Sequence, residues 1–198
     1  MPTRRRFFSL CALPTLGWGC ASRSPAVDVG PVLPPAAWGG TATLSQAQAQ
    51  AQTITHITVH HQGEIWEPGG DVAAYLVRLQ KWSRSAKGWS DIPYHYVVAP
   101  DGRVYAARPW SVAGDTNTEY DPRGHVGVML MGNFEVQQPT PQQWRAAVSL
   151  IARLRHKHRL GLDRIGTHTD HSVQTVCPGA HLLARFPELR AAVAAQAP

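Results

Sequence analysis

Residues 166–179 carry His168, His171 and Cys177, the last being the only cysteine beyond the first twenty positions. A thiol beside imidazoles can serve as a nucleophile or as a soft metal ligand. Far upstream, His60 and His61 close a β-branched run, so a fold could carry a third ligand to the same place. Two imidazoles and one thiolate would leave the fourth position of a zinc ion open for water, an arrangement suited to hydrolysis.

The elements that must position these groups follow from the residue pattern. Residues 54–60 form a β-branched strand. Its period of two puts His56, Thr58 and His60 on one face and Ile57, Val59 and His61 on the other, so only one of the paired histidines can enter a given site. Residues 94–98, the turn Pro100-Asp101-Gly102 and residues 103–106 predict a β-hairpin, and residues 126–131 a further strand. Asp71 caps a helix expected to run to about Ser83. Thr140, Pro141 and Gln143 supply an N-cap, a first-turn proline and a capping-box glutamine for a helix to about His158. Trp144, Ala147, Leu150, Ile151 and Leu154 fall on that helix's core face. Phe186-Pro187-Glu188 opens a short last helix. Strands interleaved with helices, one pair being a hairpin, predict a single α/β domain with a central mixed sheet flanked by helices.

The N-terminus bears on location. Arg4, Arg5 and Arg6, an apolar stretch to about Trp18 and then Gly19-Cys20-Ala21-Ser22 follow the order of an export signal over residues 1–19, too short to span a membrane stably. Residues 3–8 also resemble a twin-arginine signal. Cys20 stands where a bacterial lipoprotein is cut and lipidated, with ordinary cleavage as the alternative. Ala21 lacks the aspartate that retains lipoproteins in the inner membrane, so the expected location is the periplasm, anchored to the outer membrane if Cys20 is lipidated. Residues 20–52, rich in Pro, Ala and Gln, read as a flexible tether, and residues 53–198 suffice for one domain. Removing residues 1–19 takes away three arginines and no acid, lowering the formal charge from +6 to +3. That weakens a nucleic-acid reading, and no nucleic-acid partner is expected. The cut also removes Cys11; with Cys20 lipidated, Cys177 is an exported thiol without a disulfide partner, which metal ligation explains.

Five blocks resemble the zinc-dependent N-acetylmuramoyl-L-alanine amidases, a family that includes phage amidase-type lysozymes and peptidoglycan recognition proteins. They are residues 57–61, 88–96, 101–105, 126–134 and 175–179, in the family's order across nearly all of 53–198. The resemblance implies one zinc per chain held by His60, His168 and Cys177, with His171 as the alternative to His168. It implies that Tyr94 hydrogen-bonds the attacking water or the tetrahedral intermediate. Thr175 would donate to the oxyanion or form a turn, and Met129 and Cys177 set the chain apart from the subgroup with glutamate and aspartate at those positions. Asp170 would orient His168 or cap its loop, and Trp66 and Trp89 would contact substrate. His61 and His95 read as satisfied buried histidines.

The activity so implied is hydrolysis of the amide between N-acetylmuramic acid and L-alanine, by a monomer acting on peptidoglycan or muropeptides. Membrane contact would occur only through a lipid at Cys20. A non-catalytic peptidoglycan-binding module is the alternative, distinguished by loss of the third ligand. A cysteine hydrolase using Cys177 and His168 would leave His60 unexplained.

Overall fold

The computed structural model describes residues 30–43 and 52–196. The export segment, Cys20 and most of the Gln/Ala run lie outside the described residues. Five strands, β1 (His56–His61), β2 (Tyr96–Val98), β3 (Val104–Ala106), β4 (His125–Leu130) and β5 (Ile165–Thr167), form one sheet in the order β3-β2-β4-β1-β5. All neighbours are parallel except the β2–β3 hairpin. The mixed α/β domain expected from the sequence is the one observed.

The crossover from β1 to β2 runs one way across the sheet and that from β4 to β5 the other. Right-handed connections therefore put α1 (Val72–Lys87) and α2 (Pro141–His158) on opposite faces. On the α2 face, Ile57, Val59, Val128 and Leu130 pack with Ala147, Leu150, Ile151 and Leu154, joined by Leu189 and Val193 of α4 (Phe186–Ala195), which follows the short α3 (Ala180–Ala184). On the α1 face, Val97 and Met129 pack with Leu76, Ile92 and Trp38. Fully burying such side chains contributes about 1.5–3 kcal/mol each. Among the described residues, no helix is long and apolar enough to cross a membrane.

Asp71 Oδ1 accepts the Ala74 N–H at 3.0 Å, as an N-cap should. α1 runs one turn past Ser83, because no breaker intervenes before Gly88, whose φ of +68° supplies a left-handed cap. α2 begins as expected, with Thr140 Oγ1 accepting the Gln143 N–H at 3.0 Å. The capping-box role of Gln143 does not hold. Its side chain instead donates to the Val98 and Met131 carbonyls, both at 2.9 Å, reaching the last residue of β2 and the residue just past β4. Trp144 is only half-buried, with the Arg185 guanidinium 3.8 Å above its ring.

The tether expected over residues 20–52 needs correction at 30–43. Leu33 bridges to Tyr105 alongside β3, and a 3-10 turn over Pro35–Trp38 buries Trp38, whose indole N–H donates to the Ala106 carbonyl at 2.8 Å. Thr43 Oγ1 donates to Asp91 Oδ2 at 2.6 Å, and Gln80 Nε2 to Asp91 Oδ1 at 2.8 Å. Pro- and Ala-rich composition suggested a solvated linker, but Trp38 and Thr43 find buried partners across the chain.

Candidate metal centre

β1 ends in the two histidines, and its alternation separates them. His60 shares the α1 face with Met129, its register partner on β4, whereas His61 lies on the α2 face near Phe134, accepting the Phe134 N–H on Nδ1 at 3.2 Å. β5 pairs with β1 through Val59 and Thr167, so the residue after Thr167, His168, emerges next to His60. The two rings are 4.8 Å apart. Asp170 accepts from the Thr167 N–H at 2.7 Å and from its hydroxyl at 3.0 Å, capping the turn that carries His168 rather than holding the imidazole.

Cys177 arrives from the loop before α3. The Thr169 N–H donates to the Cys177 carbonyl at 3.1 Å, the Cys177 N–H to Thr175 Oγ1 at 3.0 Å, and the His61 N–H to the Cys177 sulfur at 3.4 Å. Gly179, with φ +92°, holds the turn beyond; a Cβ there would meet the Phe134 backbone at 2.5 Å. One donor atom each from His60, His168 and Cys177 then falls within 4.8 Å of the others, with Cys177 Sγ 3.6 Å from His60 Nδ1. His171 is not in the group. It stacks with Tyr120 and meets His125 edge-on.

Burial keeps every member uncharged. It lowers the pKa of His60 well below the usual 6.5 and, with His171 nearby, that of His168 to about 4. Both imidazoles are therefore neutral and able to ligate. Burial raises the Cys177 thiol to about 12, against the pull of the His61 amide. An activated nucleophile needs the opposite shift, which counts against the cysteine-hydrolase reading, whereas a bound cation would itself drive off the thiol proton. His168 Nε2 is engaged by Thr118 Oγ1 at 2.8 Å, with Thr116 Oγ1 at 3.5 Å. Nδ1 is thereby left for a metal.

A cleft of about 610 Å³ is lined by these three residues together with Tyr94, Thr175, Trp89, Thr116 and Thr118. The Tyr94 ring lies 5.0 Å from that of His60, and burial, then the proximity of Cys177, raises its hydroxyl well above the usual 10. His95, next along, is the satisfied buried histidine expected: Nδ1 accepts the Gly127 N–H and Nε2 lies 2.9 Å from the Val112 carbonyl. Trp66 does not join the cleft. Its backbone N–H donates to Gln137 Oε1 at 3.0 Å and its carbonyl accepts from Gln137 Nε2 at 3.0 Å, and it lines a separate cavity of about 580 Å³ with Met131 and Phe134. The sequence reading overlooked Thr116 and Thr118, because turn-forming residues in a loop carry no periodic signal. It also overlooked Arg78 and Trp82, although their four-residue spacing on a predicted helix, away from its core stripe, was available as a signal.

The sequence model of the N-acetylmuramoyl-L-alanine amidase family matches residues 49–180. Peptidoglycan-recognition protein SC2 of Drosophila simulans is 25% identical over 146 residues, covering 73% of this chain and 78% of that protein. Peptidoglycan recognition protein 1 of Bos taurus is 28% identical over 142 residues, 71% of each. Among solved structures, the N-acetylmuramoyl-L-alanine amidase LysC from Clostridium intestinale has the same fold, with a TM-score of 0.66 at 22% identity over 84% of this chain and 99% of that one. The ectodomain complex of peptidoglycan recognition proteins LCa and LCx bound to tracheal cytotoxin matches with a TM-score of 0.67 at 27% identity, over 79% of this chain and 96% of that one.

Proposed function

The chain belongs to the N-acetylmuramoyl-L-alanine amidase family, and we propose that it hydrolyses the amide joining N-acetylmuramic acid to L-alanine in peptidoglycan or its fragments. The observation that carries this reading is the convergence of His60, His168 and Cys177 within 4.8 Å in a cleft of about 610 Å³. A non-catalytic binder needs no such donor set.

Two neutral imidazoles and a thiolate suit zinc better than magnesium or calcium. Tetrahedral zinc with bonds of about 2.1–2.3 Å separates its ligands by roughly 3.4–3.8 Å, against 3.6 Å between Cys177 and His60. When bound, zinc supplies Lewis-acid polarisation of the amide carbonyl and a water acidic enough to be nucleophilic near neutral pH. Tyr94 stays protonated and donates to the developing oxyanion. Thr175 uses its oxygen to accept from Cys177, so its own proton is free for the same oxyanion. Thr118 fixes the orientation of His168. The enzyme acts as a monomer outside the cytoplasm, held at a membrane through Cys20 if that residue is lipidated.

The test is mass spectrometry of peptidoglycan digested by the chain lacking residues 1–19, loaded with one zinc. Release of stem peptides with free N-terminal alanine from intact glycan is expected, together with loss of activity in Cys177→Ser beyond the roughly 10–100-fold that removal of an outer-shell partner costs. Tight binding to the wall without any release would establish a recognition module instead.

A further inference from the structure

Two of the cleft's walls are irregular loops. Pro93 and Tyr94 come from the stretch between α1 and β2, and Asp115, Thr116 and Thr118 from the stretch between β3 and β4. The first loop carries the tyrosine beside His60, and the second carries the threonine that engages His168 Nε2. No helix or strand fixes either group, so something else must hold the two loops in register.

Arg108 lies behind both loops and takes no part in lining the cleft. It is 3% exposed, the one arginine or lysine buried so deeply among the described residues. Its Nε donates to the Ile92 carbonyl and its Nη2 to the Asp91 carbonyl, both at 2.9 Å. On the other side Nη1 donates to the Ala113 carbonyl and Nη2 to the Asp115 carboxylate. The Arg108 backbone N–H donates to the Tyr94 carbonyl at 3.2 Å. The first pair of acceptors immediately precedes Pro93-Tyr94, and the second immediately precedes Thr116, whose hydroxyl is 2.8 Å from that of Thr118. Between them the two backbones touch: a Cβ on Gly114 would meet the Pro93 carbonyl at 2.8 Å. Burying a guanidinium costs several kcal/mol. Its planar fork offers in return a fixed geometry between acceptors on two separate stretches of chain.

We propose that Arg108 is a positioning residue that sets the spacing of these two walls, and with it the placement of Tyr94 relative to His168. The effect on turnover rests on the amidase reading above; the effect on the metal site does not. Lysine keeps the charge but has no plane, and its single ammonium does not span both loops in one geometry. Loosened walls misplace the groups that act on the developing oxyanion, so the loss should fall on kcat rather than on KM.

The experiment is a pair of double-mutant cycles on the zinc-loaded protein. In the first, Arg108→Lys should lower kcat about tenfold or more with KM changed less than about threefold, and in a Tyr94→Phe background the same substitution should cost about threefold or less. In the second, zinc affinity is read by competition with a chelating dye. Arg108→Lys should weaken it about threefold or more, and this loss should disappear in a Thr118→Val background. Equal losses with and without the partner substitution, or a lowered melting temperature with kcat and zinc affinity unchanged, would reduce Arg108 to a support of the fold and overturn the proposal. If the wild type cleaves nothing, the amidase reading fails and the zinc cycle alone decides. If Arg108→Lys does not fold, Asp115→Asn, which slackens only the second loop, takes its place in the zinc cycle: a loss that depends on Thr118 supports the proposal and an independent one overturns it.

Discussion

The backbone N–H of His61 donates to the sulfur of Cys177 at 3.4 Å, so the second of the paired histidines touches the candidate metal centre through its amide while its ring lies on the other side of the sheet. A hydrogen bond of this kind favours the thiolate over the thiol. It also ties the ligand loop to the end of β1.

His60→Ala and His61→Ala should therefore separate. His60→Ala should lose zinc in elemental analysis. His61→Ala should retain one zinc and lose about 1–3 kcal/mol of stability, since the buried Phe134 N–H is left without its acceptor. Zinc lost from His61→Ala but kept by His60→Ala would reverse the assignment.

Thr118→Val should weaken zinc binding by about 10–100-fold, because His168 Nε2 loses the hydroxyl that orients it. Competition against a chelating dye reads this directly. An unchanged affinity would mean that the threonine is only a loop residue.

Acid should destabilise the zinc-free domain through His95, which burial holds neutral with a pKa of about 4 against the usual 6.5. The unfolded chain binds more protons between those values, so this contribution is complete above pH 6.5 and lost as pH falls toward 4. It amounts to about 3 kcal/mol. Urea unfolding at several pH values should give a shallower pH dependence for His95→Asn, whose amide oxygen can still accept the Gly127 N–H; an identical slope would exclude His95 as the source.

Removing residues 1–29 should leave the melting temperature of the chain unchanged, whereas removing residues 1–52 should lower it. Trp38→Ala alone should cost about 3–5 kcal/mol, as its ring is buried and its N–H bonded. Equal melting of both truncations would mean that the segment adds nothing.

If Cys20 carries lipid, the wild type should fractionate with membranes and take up labelled fatty acid, and Cys20→Ala should do neither. With packed structure beginning near residue 30, residues 21–29 can span at most about 30 Å, so an anchored domain would lie close to the membrane. Soluble, unlabelled protein in both cases would overturn the lipid anchor.

The sequence by itself determined the type of each major element and narrowed the candidate donors to a few histidines and one thiol. Strand alternation made His60 and His61 mutually exclusive and capping residues located the starts of α1 and α2, both through local chain geometry, while a lone thiol near imidazoles, with the family resemblance, suggested metal chemistry. Tertiary structure decided what depends on which segments meet. Pairing of β5 with β1 brought His168 rather than His171 beside His60, and the Gln137 bonds took Trp66 out of the cleft. The loop carrying Thr118 and the apparent linker carrying Trp38 have no periodicity, so their roles emerge only when distant backbone and side-chain groups must find partners on burial.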